Sequence, residues 1–397
     1  MKKSALTKSI SFNDFKKEIL NDYKTILISR EVSLLGRKEV LSGKAKFGIF
    51  GDGKELPQIA MAKVFEKGDF RSGYYRDQTF MFAINELNVK QFFSGLYANT
   101  NLIEEPMSGG RQMGSHFSSF FLNDDGSFKD LTNQYNISSD ISPTSGQMPR
   151  LLGLAMASKL YREGNFNSEN FSNNGNEIVW GTIGNASTSE GLFFEVVNAV
   201  GVHQVPAVIC IWDDEYGISV DNSYQTTKSS ISEILKGYQR NNKEKGFEIL
   251  SVNGWDYPNL ISTFEFASSV ARKEHVPVII HVKELTQPIG HSTSGSHERY
   301  KSQDRLDWEK KYDCNTKMKE WILENGLSNI KELDKLEIEC KDFVKKQKRN
   351  AWDSFQKVMI NERDSLMSVL KTIISNEKSN EIINITNSLL RLREISR

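Results

Sequence analysis

The chain has few cysteines, three in 397 residues, and Cys210, Cys314 and Cys340 lie far apart. An odd number at that spacing supports neither a disulfide framework nor a cysteine metal site and fits a reducing compartment. An excess of charge is missing too, because 51 Lys and Arg balance 51 Asp and Glu. Without a basic footprint, nucleic acid is not an expected partner. No apolar run is long enough to span a bilayer, so no membrane partner is expected. Met1-Lys2-Lys3-Ser4 begins like a secretory leader, but no apolar stretch of leader length follows. Residues 1 to 11 lack the arginine of a transit peptide, and the expected location is the bacterial cytoplasm, or the mitochondrial matrix in a eukaryote.

The apolar runs that are present are short and evenly punctuated. Glu177 to Ile183 reads as a strand entering the small-residue turn Gly184-Asn185-Ala186-Ser187-Thr188. Leu192, Phe193, Val196, Val197 and Val200 then recur at helical spacing until Gly201 and Pro206 end the pattern. Ala207 to Trp212 is a second strand, with Asp213 to Gly217 as its exit loop, which completes a βαβ unit. Further parallel strands are expected at 247–252 and 276–282, with a helix at 260–272 between them. The fold class is therefore α/β, a mostly parallel sheet flanked by helices. Three stretches are expected: an N-terminal helical and turn region (1–60), a ligand-binding α/β core (60–304) and a lysine- and glutamate-rich helical C-terminal region (305–397). The asparagine-rich 165–176 segment reads as a surface insertion.

Both exit loops of the βαβ unit fall at one sheet edge, where open α/β sheets bind ligands. Asn185 and Asp214 stand 29 positions apart there. An amide oxygen, a carboxylate and the Tyr216 main-chain carbonyl are oxygen ligands suited to magnesium, which takes one or two protein carboxylates and completes its shell with water and phosphate. Helix amides after Ser189 would add to an anion site.

Gly184 to Gly191 followed by Asp213 to Gly217 resembles the thiamin diphosphate motif, Gly-Asp-Gly, about 30 residues, then Asn-Asn. From about Tyr23 to Tyr300 the chain resembles the alpha subunit of the first component of 2-oxo acid dehydrogenase complexes, and in parts the alpha region of fused alpha-beta bacterial forms. The two metal-ligand types look exchanged here, Asn185 standing for the acid and Asp214 for the amide. A non-binding descendant is the alternative reading of that exchange. Gly73-Tyr74-Tyr75-Arg76-Asp77 looks like the family's Tyr-Arg pair, and a guanidinium fork suits diphosphate. Gly110 to His116 is similar to a stretch of the branched-chain enzymes, and Ser142 to Pro149 to a loop contacting thiamin in relatives. Gly290-His291-Ser292-Thr293-Ser294 looks like the active-site loop. Relatives usually carry an arginine where this chain has Gln287, so a diphosphate contact is missing unless Arg299 or a lysine supplies it.

The resemblance implies a thiamin diphosphate-binding fold and oxidative decarboxylation of a 2-oxo acid with acyl transfer to lipoamide, 3-methyl-2-oxobutanoate being the expected substrate. It implies His291 and His116 as catalytic residues and Asn185, Asp214 and Tyr216 as holders of Mg2+. The cofactor contacts would come from Tyr75, Arg76, Ser142, Thr144, Gly184, Ala186, Ser187, Glu190 and His291. Partners would be a beta subunit in a heterotetramer, supplying the glutamate that activates the aminopyrimidine, and a lipoyl-bearing acyltransferase. Pyruvate or acetoin dehydrogenase, or a non-catalytic scaffold, are the alternatives. His203, His275 and His281 are read as structural, and Gly51-Asp52-Gly53-Lys54 as a turn opening a helix.

Overall fold

A computed structural model of the chain describes residues 11–164, 166, 169–291, 296–377 and 379–392. Its centre is a sheet of β1 (Phe70–Ser72), β2 (Asn136–Ile137), β3 (Val179–Gly184), β4 (Ala207–Trp212), β7 (Glu248–Asn253) and β8 (Val278–Lys283). Between β4 and β7 in the chain lies a small antiparallel pair, β5 (Tyr216–Gly217) and β6 (Val220–Asp221). The main sheet runs β2-β1-β3-β4-β8-β7, every neighbour parallel. The chain goes from β1 to β2 on one side and then to β3 on the other, so the order reverses between β1 and β3. A crevice opens at such a point, beyond the carboxyl ends of the strands.

Both faces of the sheet are covered, which is why its strands read as unbroken apolar runs. Successive side chains still alternate between faces. Val208, Cys210 and Trp212 join the core under the helix Tyr257–Glu274, whereas Ala207, Ile209 and Ile211 join the core with Phe193, Val196 and Val200 of the helix Gly191–His203. The first core also takes in Tyr23 and Ile26 of the N-terminal helix Phe12–Leu41 and Met318 and Ile322 of Cys314–Glu324. The helix Glu55–Val64 straddles residue 60, so the three stretches read from the sequence share one interior. No described helix is long and apolar enough to cross a membrane. The three cysteines are buried and unbridged.

Two buried carboxylates tie strands together beneath the crevice. Asp77 accepts from Arg71 on β1 (2.7 and 2.9 Å), from the Trp212 indole on β4 (3.0 Å) and from the Thr182 hydroxyl on β3. Asp140 accepts from the same guanidinium at 3.0 Å. The segment from Tyr74 to Arg76 therefore leaves β1 over a fixed base.

His275 caps the helix Tyr257–Glu274 in a left-handed conformation (φ 54°), its Nε2 2.9 Å from the Gly175 carbonyl oxygen. Burial, with Arg162 nearby, lowers its pKa from the ordinary 6.5 to about 4. The unfolded chain takes up this proton below pH 6.5 and the native chain only near 4, so the stability is complete above 6.5 and lost as pH falls between the two values. Discounted for solvent screening, the loss is about 1–2 kcal/mol. His275→Asn, which tolerates positive φ, is expected to flatten the urea-midpoint profile between pH 6.5 and 4. An unchanged profile would assign that acid sensitivity elsewhere.

Candidate active site

The register places the loops side by side. Gly184 pairs with Trp212, and Trp212 with Val282, so β3, β4 and β8 end level. Asn185 N–H donates to the Trp212 carbonyl (3.1 Å), and Asp213 N–H to that of Val282 (2.9 Å). Asn185, Asp214 and Tyr216 thus come together at one sheet edge, as their spacing suggests. Asn185 is buried, and its Nδ2 finds no hydrogen-bond acceptor among the described residues. A buried donor left so is costly unless something arrives to accept from it. A short 3-10 turn, Ala186–Ser189, precedes the helix, so the helix starts at Gly191.

Asp213 is held from both sides, by His281 Nε2 at 2.8 Å and by the Glu215 N–H at 2.8 Å, and Ser232 Oγ lies 2.9 Å from the other nitrogen of that ring. This gives His281 the structural role expected of it. Asp214 has a different partner. Its Oδ2 lies 2.8 Å from Lys54 Nζ, and its Oδ1 accepts from the Tyr216 N–H at 3.2 Å. Burial pushes the Asp214 carboxyl up, but Lys54 and Arg76 outweigh this and hold it below the ordinary value.

Lys54 also donates to the Thr286 carbonyl (3.1 Å) and to Gln287 Oε1 (2.7 Å). The Gly51-Asp52-Gly53-Lys54 segment does turn into a helix, yet it is more than a turn: it delivers the cation of the site. Close packing explains its glycines. A Cβ on Gly51 would fall 2.2 Å from the Arg76 carbonyl oxygen, and one on Gly53, where φ is 82°, 2.1 Å from that of Thr286. Asp52 accepts from Gln287 Nε2 and from the Ile289 N–H, both at 2.9 Å, and burial raises its pKa to about 6. A lysine is thus the cation beside Gln287. The visible signals were a charged residue after two glycines and an uncharged residue where an arginine is usual.

Arg76 is at the site but is engaged with main chain. Its terminal nitrogens donate to the Phe50 carbonyl and, at 2.9 Å, to the His291 carbonyl. It therefore clamps the active-site loop to the Gly51 turn. Burial, followed by Arg76, lowers the His291 pKa to about 4, so its ring is neutral near pH 7. Ser292, Thr293 and Ser294 lie outside the described residues.

The remaining candidates form two smaller groups. Tyr75 stacks on His116 (centroids 5.8 Å apart), and His116 Nε2 lies 3.1 Å from Ser142 Oγ. Thr144 donates to Glu190 at 3.1 Å, and Ser145 to the Ser187 carbonyl, which ties the 142–145 loop to the turn after β3. Ser142 and Thr144 are exposed, whereas Ala186 and Ser187 are half-buried. Gly184 faces Tyr74, whose hydroxyl would stand 3.5 Å from an added Cβ.

Comparison with known proteins identifies the family. The family model described as "Dehydrogenase E1 component" matches residues 23–358. The chain is 26% identical over 315 residues to "2-oxoisovalerate dehydrogenase subunit alpha" of Bacillus subtilis, covering 78% of this chain and 83% of that one. It is 23% identical over 313 residues to the mitochondrial protein of that name from Mus musculus, covering 78% of this chain and 62% of that one. Against "Pyruvate dehydrogenase E1 component subunit alpha" of Rickettsia bellii it is 25% identical over 199 residues, half of this chain and 55% of that one. The chain thus spans most of the Bacillus relative but less than two thirds of the other two. With its parallel sheet and the site at the β1/β3 reversal, the chain belongs to the dehydrogenase E1 component family, as an alpha-subunit-type member.

Proposed function

We propose that the chain is the alpha half of a thiamin diphosphate-dependent 2-oxo acid dehydrogenase that acts on branched-chain substrates, 3-methyl-2-oxobutanoate first. The observation that carries this reading is the buried, unpartnered Asn185 side-chain N–H at the strand exits, with the charges of Lys54 and Arg76 close to Asp214 beside it. Relatives named for 2-oxoisovalerate support the choice of substrate.

These residues fit the diphosphate end of thiamin diphosphate. The Asn185 side-chain N–H, the amides of the turn after β3 and the charge of Arg76 would hold it, and Ser142, Thr144 and Glu190 would contact the ring end. The bound cofactor would supply the carbanion chemistry of decarboxylation. His291, kept neutral by burial and by Arg76, can take and return a proton beside the cofactor without first losing one. Tyr75 and His116 form a stacked wall whose imidazole is steadied by Ser142. Magnesium fits less well, because it would have to displace Lys54 from Asp214.

The exposed 142–144 loop leaves the ring end open to a beta subunit, which would bring the activating glutamate within a heterotetramer. A lipoyl-bearing acyltransferase would then accept the acyl group. Buried, unbridged thiols suit the bacterial cytoplasm or a mitochondrial matrix.

The test is reconstitution. The chain alone, given thiamin diphosphate and magnesium, is expected to show no turnover. With a beta subunit and lipoamide it is expected to favour 3-methyl-2-oxobutanoate over pyruvate by about tenfold or more, the discrimination that one or two apolar groups allow. Turnover without any beta protein would overturn the half-site reading, and a preference for pyruvate the substrate assignment.

A further inference from the structure

We propose that the Lys54 ammonium stands in for a divalent cation at the diphosphate end of the site, so that this chain takes up thiamin diphosphate without magnesium. The inference rests on the proposed function for the identity of the ligand. Its own ground is the set of atoms around Nζ: a carboxylate oxygen of Asp214 (2.8 Å), the Thr286 carbonyl oxygen (3.1 Å) and the amide oxygen of Gln287 (2.7 Å). Carboxylate, main-chain carbonyl and amide oxygens are what a hard cation gathers. Here they gather round nitrogen.

Three acceptors surround Nζ, as many as an ammonium has protons, so the protein engages this side chain fully. Both Asp214 oxygens are then engaged, one by Lys54 and one by the Tyr216 N–H. A magnesium ion on this carboxylate would either expel the ammonium from a position where it is 1% exposed or sit beside a like charge. The partner loop offers no second acid to offset that, because Asn185 is uncharged.

The backbone is also shaped for the lysine. Gly53 presses on the very carbonyl that Lys54 uses, and Gly51 on that of Arg76, so Nζ is delivered along a path with no room for a side chain. Asp52 fixes Gln287 from the other end. With Asp214 offset by Lys54, Arg76 is left as the surplus positive charge facing a diphosphate, and Asn185 Nδ2 as its waiting donor.

Isothermal titration of the full-length chain with thiamin diphosphate, in chelator and in magnesium, tests this, with Mn2+ alone as a paramagnetic probe of metal binding. The expected result is equal affinity in the two buffers, within about twofold, and no bound Mn2+. Lys54→Met leaves the Asp214 carboxylate without its counter-charge where the diphosphate would sit, and is expected to weaken binding in chelator by about tenfold or more. It should also make the site responsive to Mn2+ and magnesium. Should that variant fail to fold, the wild-type titrations decide unaided. Binding by the wild-type chain only when magnesium is present would overturn the inference and leave the proposed function standing. No binding in either buffer, by the chain alone and again with a beta subunit added, would overturn both.

Discussion

Asp77→Ala is expected to destabilise the chain by about 3–5 kcal/mol, the usual cost of removing one partner from a buried ion pair. The carboxylate is completely buried and meets donors from three adjacent strands: Arg71 at 2.7 Å, the Trp212 indole at 3.0 Å and the Thr182 hydroxyl. Without it, Arg71 would keep Asp140 and the Tyr74 carbonyl, but Trp212 Nε1 would have no acceptor. Because Thr182 also receives the Tyr74 N–H at 3.2 Å, the segment carrying Tyr75 and Arg76 would lose its base together with the sheet. Urea unfolding followed by tryptophan fluorescence reads the effect. A loss below about 1 kcal/mol, the size of an ordinary neutral hydrogen bond, would mean that the sheet ladder and packing hold these strands without Asp77.

The second large effect is expected at Gly53. Alanine there must adopt φ near 82° and place a Cβ 2.1 Å from the Thr286 carbonyl oxygen, a main-chain atom that cannot swing aside. The left-handed conformation alone costs about 1–2 kcal/mol, and moving the Thr286 strand exit brings the total to roughly 2–4 kcal/mol. The consequence reaches beyond stability, since the shifted carbonyl is one of the three acceptors of Lys54. Weakened thiamin diphosphate binding should therefore accompany a lowered thermal midpoint. An alanine variant with wild-type values of both would show that the turn does not set the position of Lys54.

These two sites differ in how far the sequence announces them. The run Ala207 to Trp212 is β-branched and bounded by Pro206 and Asp213, and it forms β4 with those limits. A strand carries its own signature, so residue order alone suffices to place its exit loop and Asp214. The helix after β3 is harder to bound, because Ala186 to Ser189 take a tight 3-10 turn that apolar periodicity does not mark. Lys54 is not legible in this way. Its contact with Asp214 spans 160 positions, and no local pattern encodes a pairing between a turn before one helix and the exit of a distant strand. Arg76 shows the converse limit. Residue type suggests a fork for phosphate, and the fold spends that fork on the carbonyls of Phe50 and His291. The histidines sort well where neighbours are structural, as for His275 and His281, because a buried ring with fixed acceptors follows from an apolar setting.

The family match ends at residue 358, inside the 47-residue helix Ile330–Asn376, which continues to Asn376 without a break. At 1.5 Å per residue this rod is about 70 Å long, against a radius of gyration of about 21 Å for a compact chain of this size. The second helix, Asn380–Arg391, folds back on it, with Met367 and Thr386 buried. Most of the rod is not free, because Leu333, Val344 and Ala351 belong to the main core and Trp352 packs on Tyr97, so only the turns beyond Met359 stand out from the body.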